Sequence, residues 1–520
     1  MIDAVREFLQ FLKGRGDSVK LYCLSVTHEE SSIFFLIRKN RELKMVVIHS
    51  PSETNAPHDH FIAEENGAFK VNGVEFEYRI CPRSHANTVE LRELFPFTRP
   101  RVLDLTTAIG TGDRIGLSTP GHIRAVKKFH ILPVLAQQSA REMARTGRTP
   151  QEVIDDVSWA VFQEGYKDGF SADADHLKDQ KDIEDAFDAG FTMYTIDPSD
   201  YVDDEADEYD LGTVEKKLLE LPWDDLKSAK NRILDIYLGK KFHFSHDHQV
   251  LELEFSRENL LRTVVKYSSA IAHTVKLETY LEALLRGDHF DLEVSFDETK
   301  RPTSALEHFY IASELKRLNI HVQSLAVHFV GRFEKAIDYV GDLEEFERTL
   351  REHVIIARSC GPYKLSIHSG SDKLSIYPVI GRLTDGLFHL KTAGTSYLEA
   401  LRTIARLDPF LFREIVDYSK GCFERDKKTY QISTELSSIP KAQDVKDEDL
   451  ERTFLEGNPG RQLLHVTFGS ILTARGNDGN WLFRNRVRRI LIDNEEEHYR
   501  TIATHFERYL KLLKVEQRTD

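Results

Sequence analysis

The chain divides into two stretches with different patterns of hydrophobic and polar residues. The first stretch, residues 1 to about 97, begins with a short amphipathic helix from Ala4 to Lys13 and continues with β-rich runs such as SIFFLIRKN and LKMVVIHS. The segment FKVNGVEFEYRI places two apolar runs on either side of an Asn-Gly pair, which is typical of a β-hairpin. We therefore predict a small α+β domain over residues 1–97.

From about residue 98, short apolar strands alternate with amphipathic helices. Repeated strand-then-helix units indicate a parallel sheet, and seven to nine strand candidates fit a closed barrel of eight better than an open sheet. We predict an α/β fold, a (β/α)8 TIM-type barrel over residues 98–520. Residues 215–285 look helical throughout. We predict that they belong to a helical insertion, near residues 205–285, that covers the barrel mouth.

Composition narrows the class of protein. The net charge of −15 disfavours binding to nucleic-acid phosphates, although a local basic pocket can still hold a small anion. The four cysteines lie far apart without CxxC spacing, which fits a reducing compartment rather than a disulfide framework. Because no signal-peptide pattern and no membrane-length apolar run occur, we expect a cytoplasmic enzyme without membrane or nucleic-acid partners. The sequence leaves its oligomeric state open.

Charged residues stand out in the barrel strands, where both faces are buried and apolar residues are usual. In FDLEVSFDET, period two directs Leu292, Val294 and Phe296 to one face and the polar side chains to the other. The inward set is Glu293, Ser295 and Asp297, and Glu298 follows at the carboxyl end of the strand. An antiparallel strand with one wet face is the alternative interpretation.

Other strand ends carry the same residue types. The inward or terminal polar residues are Asp173, Asp175 and His176 in GFSADADHLK, His328 in HVQSLAVHFVG, His368 in KLSIHSGSDK, and His389 and Lys391 in LFHLKTAGTSY. Imidazole and carboxylate without cysteine suit a divalent metal acting as a Lewis acid, without distinguishing Zn, Mn, Co, Fe and Ni. Each position alone is more typical of a satisfied core residue, but their concentration at successive strand ends predicts an active site.

Three loops are candidates for binding an anion. The turn Ser369 to Lys373 is polar, and Gly394 with Thr395 forms a second loop of small residues. Lys373 and Lys391 are natural partners for a substrate carboxylate or a developing oxyanion. The segment GTGDRIG at residues 110–116 lacks the frame of a dinucleotide or P-loop motif, so it predicts a small-anion loop and no nucleotide cofactor.

Several of these segments together resemble the tagaturonate/fructuronate epimerase family of the bacterial hexuronate pathway. The matching stretches run in family order over roughly residues 100–515, and HSGSDK and KTAGTSYLEALR are the most specific. They are GDRIGLSTPGHIRA, PVLAQQSARE, ADADHLK, FTMYTIDPSDYVD, LEVSFDET followed by RPTS, GRFEKAIDYVGD, LSIHSGSDKLSIYP, HLKTAGTSYLEALR and HVTFGSILT.

The resemblance implies a metal-dependent barrel that interconverts tagaturonate and fructuronate. It implies that Asp175 is the general base, that His176 and His368 are metal ligands, and that Asp297 with Glu298 supplies a proton donor or a further ligand. Which of Glu293, Asp297 and Glu298 contacts the metal stays open. Candidate substrate-binding residues are Lys373, Lys391, Thr395 and His328. Val327 and His328 stand where a Pro-Arg pair is expected, so the exact substrate also stays open.

The two sugar acids differ at the carbinol carbon β to the ketone, whose C–H bond neither carbonyl activates. The remaining routes are retro-aldol cleavage followed by re-addition, or transient oxidation by a nicotinamide. The absence of a convincing nucleotide motif favours the retro-aldol route, which needs a divalent cation and an acid/base pair. Alternatives are a barrel aldolase or ketose isomerase acting on a related sugar acid, and a catalytically inactive sugar-acid-binding protein.

Overall fold

The computed structural model describes residues 2–50 and 57–518, so residues 51–56 of the predicted N-terminal domain lie outside the described residues. No helix in the described parts of the chain is long and apolar enough to cross a membrane. The strands are β1 (Val19–Leu21), β2 (Thr27–Glu29), β3 (Ser32–Lys39), β4 (Glu42–His49), β5 (Glu65–Val71), β6 (Val74–Pro82), β7 (Ala108–Gly110), β8 (Leu132–Ser139), β9 (Ser171–Leu177), β10 (Met193–Ile196), β11 (Lys241–His246), β12 (Gln249–Glu254), β13 (Asp291–Phe296), β14 (Ser324–Val327), β15 (Lys364–Ile367) and β16 (Phe388–Lys391).

The α-helices follow the same order along the chain. They are α1 (Ile2–Gly14), α2 (His85–Leu94), α3 (Thr119–Val126), α4 (Ala140–Thr146), α5 (Pro150–Gln163), α6 (Gln180–Ala189), α7 (Leu211–Leu219), α8 (Lys230–Tyr237), α9 (Arg257–Leu285), α10 (Ala305–Arg317), α11 (Leu343–Cys360), α12 (Tyr377–Thr384), α13 (Thr395–Leu407), α14 (Pro409–Asp426), α15 (Asn458–Val466), α16 (Phe468–Thr473), α17 (Arg484–Asp493) and α18 (Glu495–Leu512).

The N-terminal strands form a six-stranded sheet in the order β1-β3-β4-β6-β5, with β2 paired to β3. The predicted hairpin is β5 and β6, and its turn residues Asn72 and Gly73 have φ of 50° and 83°. These positive φ values are the ones a two-residue hairpin turn of this kind needs. One face of the sheet packs on α1, and the other packs against Trp159 and Phe162 of α5.

The predicted barrel is confirmed. Strands β7, β8, β9, β10, β13, β14, β15 and β16 close into an eight-stranded barrel, and each pairs in parallel with the next. Helices follow the strands along the chain, and α18 packs on α3 and α13. Local signals start these helices: before α10, the Ser304 hydroxyl accepts from the Glu307 amide while the Glu307 carboxylate accepts from the Ser304 amide.

The barrel interior is polar, as the alternation in the strands predicts. Leu292, Val294 and Phe296 belong to the core between strands and helices, whereas Glu293 is buried among polar groups inside. At the amino-terminal end, Asp291 accepts hydrogen bonds from the amides of Leu103 and Asp104, which close that end. The carboxyl end remains the open end where barrel enzymes carry their sites.

The prediction that residues 205–285 are helical is wrong in part. Strands β11 and β12 form an antiparallel hairpin between α8 and α9, and Asp247 and His248 turn it with φ of 48° and 62°. In β11, half-buried Phe242 and Phe244 alternate with exposed polar residues, which is a strand pattern. The hairpin contacts α10 and α11, and α9 packs between α6 and α10, so most of this segment lies around the barrel.

A helical layer over the mouth comes instead from residues 408–493, which we call the cap. Helices α14 to α17 pack in a hydrophobic core that they share with α13, and Ile115 and Ala336 from loops of the barrel join it. Gly394, after β16, lies so close to His465 of the cap that an added Cβ would come 2.1 Å from the imidazole. The cap is therefore fitted directly onto the loops that follow β7, β14 and β16.

Candidate active site

The carboxyl end of β9 presents two neighbouring residues to the barrel mouth. In a regular strand Asp175 and His176 would point to opposite faces. Here the pairing of β9 with β10 shifts register between Tyr194 and Ile196, and His176 has φ of 60°. This bulge allows both side chains to line the same cavity.

His176 is oriented by a buried carboxylate. Its Nδ1 lies 3.2 Å from Asp197 Oδ2, at the end of β10. Its Nε2 lies 3.8 Å from Asp175 Oδ1 and makes no closer contact to a carboxylate among the described residues. One ring nitrogen is thus anchored, which leaves the other available to a ligand in the mouth.

His368, after β15, repeats this arrangement. Its Nε2 lies 2.8 Å from Oε1 of Glu293, a fully buried residue of β13. Its Nδ1 lies 3.1 Å from Asp297 Oδ1 but has no hydrogen bond of acceptable geometry in the described residues. The rings of His176 and His368 are 5.0 Å apart between centroids.

Lys391, at the end of β16, holds three carboxylates together beneath these imidazoles. Its Nζ lies 2.8 Å from Asp173, 2.7 Å from Asp175 and 2.7 Å from Glu293. Burial lowers the pKa of Lys391, but the three carboxylates outweigh burial and hold it well above its usual value. Lys391 is therefore a permanent cation inside the barrel, and its ammonium is already engaged with protein groups.

The same contacts fix the charges of the acidic residues. Burial raises the pKa of the Asp175 carboxyl, but Lys391, His176 and His368 outweigh burial and hold that pKa well below its usual range. For Asp297, burial is likewise outweighed by His368 and His176, and its pKa falls. Burial lowers the pKa of His368, but Asp297 and Glu293 outweigh it and raise the pKa to about 10. The mouth therefore carries ionised carboxylates that attract positive charge.

Two adjoining cavities form the mouth. The inner one, of about 90 Å³, is lined by Asp175, His176 and Lys391. The outer one, of about 440 Å³, is lined by His328 and Lys300. They share a wall that includes Asp297, Glu298, His368, Arg141, Lys335 and Tyr430. Together they leave room for a ligand about the size of a sugar acid.

The donor set fits a divalent cation, although it is not a closed metal site. Within residues 2–50 and 57–518, no three His, Cys, Asp or Glu side chains already converge as a ligand group. Two donor atoms on a tetrahedral zinc with bonds of about 2.1 Å lie about 3.4 Å apart. The 3.1 Å separation of His368 Nδ1 and Asp297 Oδ1 is close to that spacing, and the buried Nδ1 lacks a hydrogen bond. Carboxylate-anchored imidazoles are also typical of metal ligands.

Two of the predicted substrate-binding residues do not reach the mouth. Lys373 is fully buried, and its ammonium donates to the backbone carbonyls of Glu334, Ile337 and Ser371. The Thr395 hydroxyl is buried against His505 of α18, with its Oγ1 2.8 Å from Nε2. Both predictions are wrong because the loops after β15 and β16 turn these side chains behind the site.

The other two predicted substrate-binding residues, Lys391 and His328, do line the mouth. Lys391 lines the inner cavity but is neutralised by its three carboxylates. His328 lines the outer cavity, where its Nδ1 lies 2.9 Å from the Thr299 carbonyl oxygen. Burial lowers the pKa of His328, which favours a neutral imidazole in the cavity wall rather than a cation.

Several residues of this mouth were not predicted from the sequence, among them Arg114, Arg141, Lys335 and Tyr430. Arg114 belongs to the GTGDRIG loop, which was singled out for small anions but not assigned to the barrel mouth. Arg141 follows the end of β8, and that position was a usable signal. Tyr430 lies in the cap, whose contact with the mouth no local pattern indicates.

Comparisons with known proteins agree with the fold and identify the family. A family model described as tagaturonate epimerase matches residues 22–513. The tagaturonate/fructuronate epimerase of Thermotoga maritima is 43% identical over 486 residues, which cover 94% of this chain and 95% of that protein.

Two crystal structures of the fructuronate-tagaturonate epimerase UxaE from Cohnella laeviribosi are also similar. A glycerol complex matches with a TM-score of 0.88 at 38% identity, covering 99% of this chain and 100% of that one. The native structure matches with the same TM-score and identity, covering 98% and 99%. The relatives are named as epimerases, which are isomerase-class enzymes, and this chain belongs to the tagaturonate epimerase family.

Proposed function

We propose that this protein is a metal-dependent epimerase that interconverts D-tagaturonate and D-fructuronate at the carbinol carbon β to the ketone, by retro-aldol cleavage and re-addition. Membership of the family supports the substrate pair. The observation that supports the chemistry is the pair of carboxylate-anchored imidazoles, His176 and His368, facing one cavity with Asp175, Asp297 and Glu298. We propose that His176, His368 and Asp297 would hold a divalent cation, which would supply Lewis-acid polarisation of the substrate ketone.

The reaction breaks the carbon–carbon bond between the carbons α and β to the ketone. The electron pair of that bond passes into the ketone to give an enediolate, while the proton of the β-hydroxyl leaves and that carbon becomes an aldehyde. Rotation of the aldehyde exposes its other face, and reversal of the same steps re-forms the bond with inverted configuration. Atoms and electrons balance without an oxidant.

The protein's own part is to hold the fragments and to move one proton. Glu298 is exposed on the cavity wall, so its carboxylate is the better candidate to accept and return the hydroxyl proton. Asp175 is tied to Lys391 through a 2.7 Å contact and stays ionised. Its low proton affinity suits a hydrogen-bond acceptor that orients the hydroxyl, which modifies the sequence-based assignment of Asp175 as the general base.

Isotope labelling tests this route. Tagaturonate carrying deuterium on the epimerised carbon should keep its label in the fructuronate product, because that C–H bond never breaks. A hydrazine added during turnover should trap a three-carbon aldehyde acid. Transfer of the deuterium to a nicotinamide, or its exchange with water, would rule out the retro-aldol route, and steady accumulation of three-carbon fragments would identify an aldolase.

A further inference from the structure

We propose that Arg114, Lys335 and Arg141 form a carboxylate-binding subsite at the inner cavity of the mouth. This inference rests on the proposed function and identifies where the acid end of the substrate binds. It replaces Lys373 and Lys391, whose ammonium groups are engaged elsewhere.

Arg114 presents unused donors beside the cavity. It is 4% exposed and lines the inner cavity. Its Nη2 pairs with Glu142, but its Nε and Nη1 are buried and have no hydrogen-bond partner among the described residues. The guanidinium lies 3.7 Å from the centre of the Phe468 ring, which fixes its plane. A buried guanidinium with free donors is costly unless an anion accepts from it, and a carboxylate matches its geometry.

Lys335 is a second cation that the protein leaves without a counter-ion. Its Nζ donates to the Ser369 hydroxyl at 2.5 Å, and no carboxylate of the described residues is within ion-pair distance of it. Burial lowers its pKa, and Arg141 and Arg114 lower it further, whereas Glu142 and Asp297 raise it. Arg114, Lys335 and Arg141 all line the inner cavity, so an anion bound there would lie close to all three cations.

Arg141 completes the group at the solvent side. It is exposed, it lines both cavities, and its guanidinium lies 5.7 Å from the centre of the Tyr430 ring in the cap. No carboxylate among the described residues forms an ion pair with Arg141 either. An exposed cation of this kind attracts an incoming acid and adds less affinity than a buried one.

The inner cavity thus brings three cations together with the imidazoles and carboxylates around one space. A sugar acid fits this cavity if its ketone contacts His176 and His368 and its carboxylate contacts the cations. Retro-aldol cleavage leaves the carboxylate on the aldehyde fragment. The subsite would therefore retain the fragment that has to rotate, while the ketone end stays at the imidazoles.

Binding of an unreactive acid tests the subsite without turnover. Calorimetry with D-galactonate, which has no ketone, is compared with calorimetry of galactitol, which has neither ketone nor carboxylate. Lys335→Met should weaken galactonate binding about 100-fold and Arg141→Met about fivefold, because Lys335 is half-buried and Arg141 is exposed. Lys428→Met, an exposed cap residue that lines neither cavity, is the control for net charge and should bind as the wild type does.

The outcomes separate the subsite from the proposed function. If Lys335→Met and Arg141→Met both bind galactonate as the wild type does, the proposed subsite is wrong. If the wild type epimerises its substrate in that case, the proposed function is unaffected. Loss of affinity for galactonate in these variants, without epimerisation by the wild type, supports the subsite and overturns the function. Because Arg141 is exposed, Arg141→Met keeps the test valid if Lys335→Met fails to fold.

Discussion

His368 has the contacts expected of a residue that serves chemistry rather than folding. One ring nitrogen is bound to Glu293, and the other is buried beside Asp297 without a hydrogen bond. Glu293 keeps Lys391 and His389 as partners, at 2.7 and 3.2 Å, when His368 is removed. Glu293 therefore does not depend on this imidazole, and we propose that the imidazole serves a ligand in the mouth.

We expect His368→Ala to lower kcat/KM for tagaturonate by about 1,000-fold or more, because it removes a proposed ligand of the cation that would stabilise charge at the ketone. The thermal unfolding midpoint should stay within a few degrees of the wild type, measured by circular dichroism. His321→Ala, an exposed residue before β14, should change neither quantity. Global unfolding of His368→Ala would show that His368 is a structural residue.

The strand residues of the site were predictable because period two alone decides which side chains face into a barrel. Glu293, His368 and Lys391 lie inside as predicted. Lys373 and Thr395 were not predictable in this way, since they lie in loops whose direction depends on individual backbone angles. Ser369 and Asp372 have φ of 50° and 63°, and no residue pattern predicts this left-handed conformation in non-glycine residues.

At the scale of elements, α9 carries a buried acid that makes stability depend on pH. Burial, aided by Glu282 one turn along, raises the pKa of Glu278 to about 7, and Lys227 lowers it only in part. The unfolded chain releases this proton near its ordinary pKa, so between that value and about 7 the folded protein binds more protons than the unfolded chain. Stability therefore falls as pH rises through that window.

Glu278→Gln removes this dependence while keeping the shape of the side chain. The variant should be more stable than the wild type by about 1–2 kcal/mol at pH 8 and should lose that advantage near pH 4.5. Urea unfolding at the two pH values measures the difference. An advantage of equal size at both pH values would contradict the assignment to Glu278 ionisation.

Two loops of the mouth meet backbone to backbone at Gly112. An added Cβ there would come 2.7 Å from both Cα and the carbonyl oxygen of Ala393, which follows Lys391. Gly112→Ala should therefore destabilise the protein by about 1–3 kcal/mol and also lower kcat/KM, because it displaces the loops that carry Arg114 and Lys391.

Gly421→Ala is the matched control for this change. Gly421 lies within α14 and has nothing within 4 Å of an added Cβ. It should be stabilising by about 0.5–1 kcal/mol, since alanine is the better helix former. Equal effects of the two substitutions would show that the Gly112 contact does not constrain the mouth.

The order of elements was predictable where the periodicity was strong, and the exceptions have physical causes. In the β11–β12 hairpin, half-buried residues alternate with exposed ones. Because few positions are apolar, the strand pattern is weak, and the segment was predicted to be helical. The hairpin at Asn72 and Gly73 was predictable because a positive φ at both turn residues selects that pair.

For the whole molecule, the barrel followed from the sequence and the cap did not. Alternating strands and helices restrict the connectivity to a few topologies. Helices α14 to α17 have the same local pattern as helices of the ring, and only contacts distant in sequence, such as Gly394 with His465, place them over the mouth. Tyr430 and the cap side of the substrate cavity were consequently beyond sequence reasoning.

The proposed subsite also accounts for how an acidic protein would accept an acidic substrate. The net charge of −15 is distributed over the whole chain, whereas Arg114, Arg141 and Lys335 stand together at the mouth. Local fields in a water-poor cavity outweigh distant, screened charges.

A ¹³C NMR time course of the purified protein with D-tagaturonate, and separately with D-fructuronate, tests the central claim most directly. Our account predicts that each acid is converted into the other, that both reactions reach the same ratio, and that the sum of the two acids is conserved. An unchanged spectrum, or three-carbon fragments in place of the second acid, would contradict it.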